Sequence, residues 1–159
     1  VGVHEVSNVT IWGNHSSTQV PDFTHAKIQG KPADSVITDQ NWLQNTFVST
    51  VQKRGAEIIA ARGKSSAASA ASAVIDAIQS LYRPTAPGNW FSSGVWAENN
   101  PYEIEEQLIY SFPIRSKGEG EWEFVKDLKL DGWLLKKLAE TQRELVEERD
   151  QVRGFARLI

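Results

Sequence analysis

Val9-Thr10-Ile11-Trp12-Gly13-Asn14-His15-Ser16-Ser17 is the stretch on which the reading of this chain turns. Its first four residues are β-branched or aromatic, the composition of a strand on a half-buried surface, and Gly13 ends the run. The strand therefore delivers a short polar loop to the end of a rigid element, where an imidazole can be held at the floor of a cleft. Histidine titrates near neutrality and is the natural acid–base there. Position alone equally allows His15 to be a loop residue bonded to backbone. His4, His15 and His25 are scattered, without thiolates or paired carboxylates at ligand spacing, so no metal site is expected.

Downstream of this loop, Ala26-Lys27-Ile28 is extended and turns at Gln29-Gly30-Lys31-Pro32, which predicts a hairpin. From Asp39 to Arg62 the apolar positions Leu43, Phe47, Val51 and Ile58 recur at helical spacing, with Asp39 as the cap and Gly63 as the stop. Arg54 lies on that stripe, so its guanidinium is expected to face inward. Its neighbour Gly55 costs about 1 kcal/mol relative to Ala in a helix interior, which invites a ligand or backbone pressed against it. Together they offer a donor fork and open backbone to a carboxylate; snorkelling of Arg54 past the core edge and a packing role for Gly55 fit equally.

Lys64-Ser65-Ser66 opens a second helix, with Ala67, Ala68, Ala71, Val74, Ile75, Ile78 and Leu81 on its apolar face and Pro84 and Pro87-Gly88 ending it. Amides and hydroxyls at Ser65 and Ser66 present an anion site, or simply a cap. Three extended runs follow, Trp90 to Ala97, Leu108 to Ile114 and Glu121 to Val125. The turn signals Asn99-Asn100-Pro101 and Gly118-Glu119-Gly120 between them suggest an antiparallel meander. From Asp131 the apolar positions Leu138, Leu145, Val152 and Phe155 predict a long amphipathic helix ending near Gly154. The fold class expected is α+β, long helices packed on an antiparallel sheet.

Composition narrows the functions. The 159 residues suffice for one domain with a real core. Apolar residues make up 40% and charged residues 23%, an ordinary globular balance. The net charge of −3 argues against nucleic acid and anionic membranes as partners. No apolar run approaches the roughly 20 residues that span a bilayer. The absence of cysteine removes disulfides, thiolate metal sites and cysteine nucleophiles. Beginning at Val1-Gly2-Val3-His4 without methionine, the chain is expected to be the back part of a longer polypeptide.

Trp12-Gly13-Asn14-His15-Ser16-Ser17-Thr18-Gln19-Val20-Pro21-Asp22 resembles the active-site histidine motif of malate dehydrogenases, in the branch containing the cytosolic and chloroplast enzymes. The resemblance runs in family order through Thr50-Val51-Gln52-Lys53-Arg54-Gly55, Ser65 to Ala71, Gly94-Val95, Asn100-Pro101-Tyr102 and Ser111-Phe112-Pro113, covering nearly the whole chain. It implies the lactate and malate dehydrogenase fold, with residues 1–159 as the C-terminal substrate domain and the N-terminal Rossmann domain absent from this chain. His15 would be the catalytic proton acceptor and donor. Arg54, Gly55, Ser65 and Asn14 would be substrate-binding. NAD would be held mainly by the absent domain, since no G-x-G-x-x-G follows a strand here. The aspartate that orients the histidine and the arginines that clamp the substrate carboxylates would also lie upstream of Val1.

The resemblance further implies malate and oxaloacetate as substrates, a homodimer, a cytoplasmic location and a place in the tricarboxylic acid cycle. NAD rather than NADP is the expectation, because the chain ends at Ile159 without a cysteine-bearing tail. Alone, the chain is expected to be inactive and, with its partner face uncovered, prone to associate. Glu103 departs from the family pattern, which commonly has glycine there, and this puts the local turn in question. A free-standing, non-catalytic binding or structural domain is the competing reading; a lactate dehydrogenase keeps the chemistry and changes the substrate.

Overall fold

The computed structural model describes residues 1–153, so the expected positions of Gly154 and Phe155 lie outside the described residues. After a single 3-10 turn at Val3–Glu5, the short strands β1 (Val6–Ser7), β2 (Thr10–Trp12), β3 (Val20–Asp22), β4 (Lys27–Ile28) and β5 (Lys31–Pro32) precede the one-turn helix α1 (Ala33–Val36). β2 and β3 form one antiparallel hairpin, with Trp12 opposite Val20, and the polar loop is its connection. The hairpin expected near Ala26 is the antiparallel pair β4–β5, with β1 on the outer side of β4.

The long helix also forms as read. The Asp39 carboxylate accepts the Trp42 amide at 2.9 Å, and Gly63 takes the left-handed conformation that stops the helix, φ 70°. One feature periodicity does not announce is a π-helical stretch at Trp42–Phe47, which leads into α2 (Val48–Arg62). The second helix, α3, spans Ala67–Tyr82. β6 (Phe91–Trp96), β7 (Ile109–Gly118) and β8 (Glu121–Phe124) make the predicted antiparallel meander. α4 (Gly132–Arg153) starts where the Asp131 carboxylate accepts the Leu134 amide at 2.7 Å.

The main core lies between the meander, the β2–β3 hairpin and the first half of α4, around Trp12, Tyr110, Phe112, Ile114, Leu134 and Leu138. Trp12 sets its edge against Tyr102, with centroids 4.9 Å apart at 89°, the favoured T-shape. Glu103 follows at φ 56°, in the left-handed region that suits glycine. Asn100 stabilises that loop by donating to the Ala97 and Ile104 carbonyls at 2.7 Å each and accepting the Tyr102 and Ile104 amides. The turn thus survives the substitution through side-chain bonds.

The long α2–α3 arm differs from the rest. Only the start of the long helix is buried, at Leu43 and Val48. No residue of α3 is buried, and its expected apolar face is largely open, with Val74 59%, Ile75 56% and Ile78 52% exposed. α3 is anchored by its C-terminal end: the Glu119 and Gly120 amides donate to the Tyr82 and Leu81 carbonyls, and the Ser116 hydroxyl also donates to Leu81.

Candidate active site

The loop from Gly13 to Gln19 stands over a cleft of about 390 Å³ lined by Ile11, Gly13, Asn14, His15, Gln19, Gly94, Ile109, Ser111 and Leu145. Strand pairing fixes its floor. Gly13 exchanges both backbone hydrogen bonds with Ser111, at 3.1 and 3.0 Å. Two serines complete the join between hairpin and meander: Ser111 donates to the Ile11 carbonyl at 2.6 Å, and the Ser92 hydroxyl accepts the Ile11 amide at 2.8 Å. Gly13 adopts φ 91°, and a Cβ there would collide with the Thr141 side chain, so only glycine lets the loop leave the strand this close to α4.

α4 holds the loop from its other side. Thr141, fully buried, accepts the Asn14 amide at 2.9 Å and donates its own hydroxyl to that of Thr18, also at 2.9 Å. One turn further on, Glu144 accepts the Ser16 and Thr18 hydroxyls and the Asn14 side-chain amide. Burial pushes the Glu144 carboxyl up, but these three hydrogen bonds outweigh it and leave it below the usual glutamate range. The loop's exit is tied to α2, where the Gln52 amide donates to the Gln19 carbonyl at 2.8 Å.

The base of the same hairpin carries a buried charged network. Asp22, with no exposed surface, accepts the Trp12 indole N–H at 3.0 Å, His25 Nδ1 at 2.7 Å and the Thr24 amide and hydroxyl at 2.7 Å. Burial raises the Asp22 carboxyl, yet the His25 hydrogen bond and charge, with Thr24 and Trp12, bring it below its ordinary value. Burial pulls His25 down, and the Asp22 bond and charge lift it above its ordinary value. The protonated form of the half-buried His25 is thus favoured beside the buried Asp22 carboxylate.

Among the residues singled out from sequence, the structure brings His15 and Asn14 to the cleft and leaves Arg54, Gly55 and Ser65 outside its lining. One expectation is corrected. Arg54 does not face inward: its side chain is 68% exposed and lies 3.7 Å from Glu57, because nothing among the described residues covers that part of α2. Around Gly55, beyond its own helix, no described residue comes within 4 Å of where a Cβ would be. Ser65 precedes the residue that caps α3; Ser66 occupies the cap, and its hydroxyl turns to Ser69 rather than to a backbone amide. Asn14 lines the cleft, and its side-chain amide is committed to Glu144 and Glu148 at 3.0 Å each.

Sequence reading passed over Thr141, Glu144, Ser111 and Asp22. Thr141 left a trace, a hydroxyl residue on the Leu138–Leu145 stripe of an amphipathic helix, where an apolar side chain belongs unless a polar partner faces it.

A hairpin loop presenting a histidine over a cleft, clamped between an antiparallel meander and a long last helix, makes this an α+β domain with its polar loop held at one site. The family model for the lactate/malate dehydrogenase alpha/beta C-terminal domain matches residues 1–156, and the chain belongs to that family. It is 53% identical to a malate dehydrogenase of Protochlamydia amoebophila (strain UWE25) over 99% of its own length and 48% of the relative's. It is also 53% identical to the chloroplastic NADP malate dehydrogenase of Flaveria bidentis, over 91% of its length and 32% of that protein. Among solved structures, a Trichomonas vaginalis lactate dehydrogenase in complex with NADH and oxamate superposes with TM-score 0.92 at 32% identity, covering the whole of this chain and 49% of that one. A malate dehydrogenase from Naegleria fowleri ATCC 30863 superposes at 0.88 with 34% identity, over 97% of this chain and 46% of that one. The chain thus spans about half, or less, of the length of these relatives.

Proposed function

We propose that this chain is the substrate domain of a malate dehydrogenase, with His15 as the acid–base that removes the hydroxyl proton of malate and returns it to oxaloacetate. The observation that carries this is the placement of His15: an imidazole at the rim of a cleft, on a loop fixed on both flanks, in a chain about half identical to malate dehydrogenases. A nicotinamide cofactor supplies and accepts the hydride when bound. The chain's own part is to hold the proton-transfer group at the right place and to contribute to the substrate pocket.

Arg54, Gly55 and Ser65 belong to this proposal as substrate contacts made once the other half of the polypeptide covers the arm. Their open surroundings support that reading, since a guanidinium and a bare helix segment are left available to a carboxylate. The exposed apolar face of α3 supports a contact with the Rossmann half or with a second subunit, and a homodimer is part of the proposal. NAD is the proposed cofactor, with the NADH-bound structural relative in its favour and the chloroplastic NADP relatives as the alternative. The cytoplasm is the proposed location, and a chloroplast the alternative for the same reason.

The test is a comparison of malate oxidation by the whole polypeptide and by the 159-residue chain, each with NAD and with NADP. The proposal expects turnover by the whole polypeptide, faster with NAD, and none by the chain alone. A whole polypeptide that oxidises lactate but not malate would replace the substrate; one inert toward both would favour a retained, non-catalytic domain.

A further inference from the structure

We infer that Glu144 is a positioning residue for His15, acting through the hydrogen bonds by which its carboxylate ties both flanks of the histidine loop to α4. The inference rests on the reading of His15 as the acid–base. His15 is itself exposed, so packing does not fix it, and between Trp12 and Val20 the hairpin has no paired strand residues.

A single oxygen gathers three of the loop's hydrogen bonds. Glu144 Oε2 accepts from Asn14, one residue before the histidine, and from Ser16 and Thr18, one and three residues after it. Bonds to an ionised acceptor are stronger than neutral ones, and this carboxyl is held in its ionised form by the same three donors. Thr141, one turn earlier on the same face, grips the Asn14 amide and the Thr18 hydroxyl. The far end of the tether is rigid, since Leu134 and Leu138 of α4 are buried in the main core. Neighbouring charges on the helix show what an ordinary surface carboxylate does here. Arg143 and Glu147 are 73% and 66% exposed and pair loosely with each other, at 3.9 Å. Glu144 instead transmits the position of α4 to the imidazole.

The experiment uses the whole polypeptide. Glu144→Ala is expected to lower kcat for malate oxidation by about 10- to 100-fold, the cost of a reacting group misplaced by about 1 Å, with KM and Tm little changed. Glu144→Gln, which keeps a carbonyl acceptor for the two hydroxyls, should recover most of the loss, and Glu147→Ala should match the wild type. Amide hydrogen exchange over Asn14–Gln19 should quicken in Glu144→Ala. A kcat within twofold of wild type, whatever the exchange shows, overturns the inference. So does a fall in kcat that tracks a fall in Tm and that Gln does not recover. If the wild-type polypeptide shows no turnover at all, the acid–base reading has failed and the inference with it, while unchanged loop exchange in an active Glu144→Ala enzyme would overturn the inference alone.

Discussion

The histidine hairpin and the α2–α3 arm carry equally specific motifs, yet the chain completes one and leaves the other open. Around His15 almost every polar group has a partner within the chain: Thr141 and Asp22 are fully buried, and Gly13, Asn14, Ser16 and Thr18 are all bonded to β7 or α4. On the arm, Arg54 is 68% exposed, Gly55 touches nothing, and the valine and isoleucines of α3 stand half or more in solvent. The contrast teaches that a domain can fix its histidine loop by its own contacts while a pair of its helices stands largely uncovered. A loop needs geometric precision and so needs local bonds; a helix satisfies its own backbone and can stand uncovered.

The comparison can be broken by substitution. The largest effect is expected at the packed end, where Phe112→Ala removes a fully buried ring and should cost about 3–5 kcal/mol by denaturant unfolding. Gly13→Ala forces a Cβ onto Thr141 at a positive φ and should cost about 2–4 kcal/mol, with the His15 loop displaced. Either change costing less than about 0.5 kcal/mol, the surface norm, would erase the difference between hairpin and arm.

The Asp22–His25 pair gives the hairpin a pH dependence. His25 has a folded pKa raised above its ordinary 6.5, so its stabilisation is fully present below that value and is lost as pH rises through the raised one. Asp22 has a folded pKa below its ordinary 3.8, so its share is present above that value and is lost as pH falls through the lowered one. The loss of stability caused by His25→Gln should therefore be greatest near about pH 5.5, about 1–3 kcal/mol for hydrogen bonds to a charged group, and should shrink by about pH 9. Melting curves of the two proteins across that range would show it, and a pH-independent gap would contradict it. The smallest effect belongs to the arm: Val74→Glu with Ile78→Glu in the 159-residue chain should shift stability by less than about 0.5 kcal/mol while reducing self-association in sedimentation. A large destabilisation would mean that α3 packs on the chain after all.

Much of this was legible in sequence because it is written locally. The Asp39 cap and Gly63 stop bracket their helix, Gln29-Gly30 turns its hairpin, and the meander follows its turn signals, since each depends on neighbours along the chain. The tethering of His15 was not legible, because Glu144 lies 128 residues from Ser16 and Ser111 lies 100 from Ile11. Helical periodicity placed Arg54 correctly on the Val51–Ile58 stripe but cannot say what covers a stripe. The resemblance pointed to His15 as proton acceptor and donor and to Asn14, Arg54, Gly55 and Ser65 as substrate contacts; only the geometry shows which of them this chain holds by its own bonds.

The most direct measurement of the central claim is the malate oxidation rate of the whole polypeptide carrying His15→Asn beside that of the wild type. The account predicts a loss of about 10²- to 10⁴-fold, the worth of a general acid–base, with Tm unchanged because His15 is exposed. A rate within threefold of wild type would contradict it and remove His15 from the chemistry.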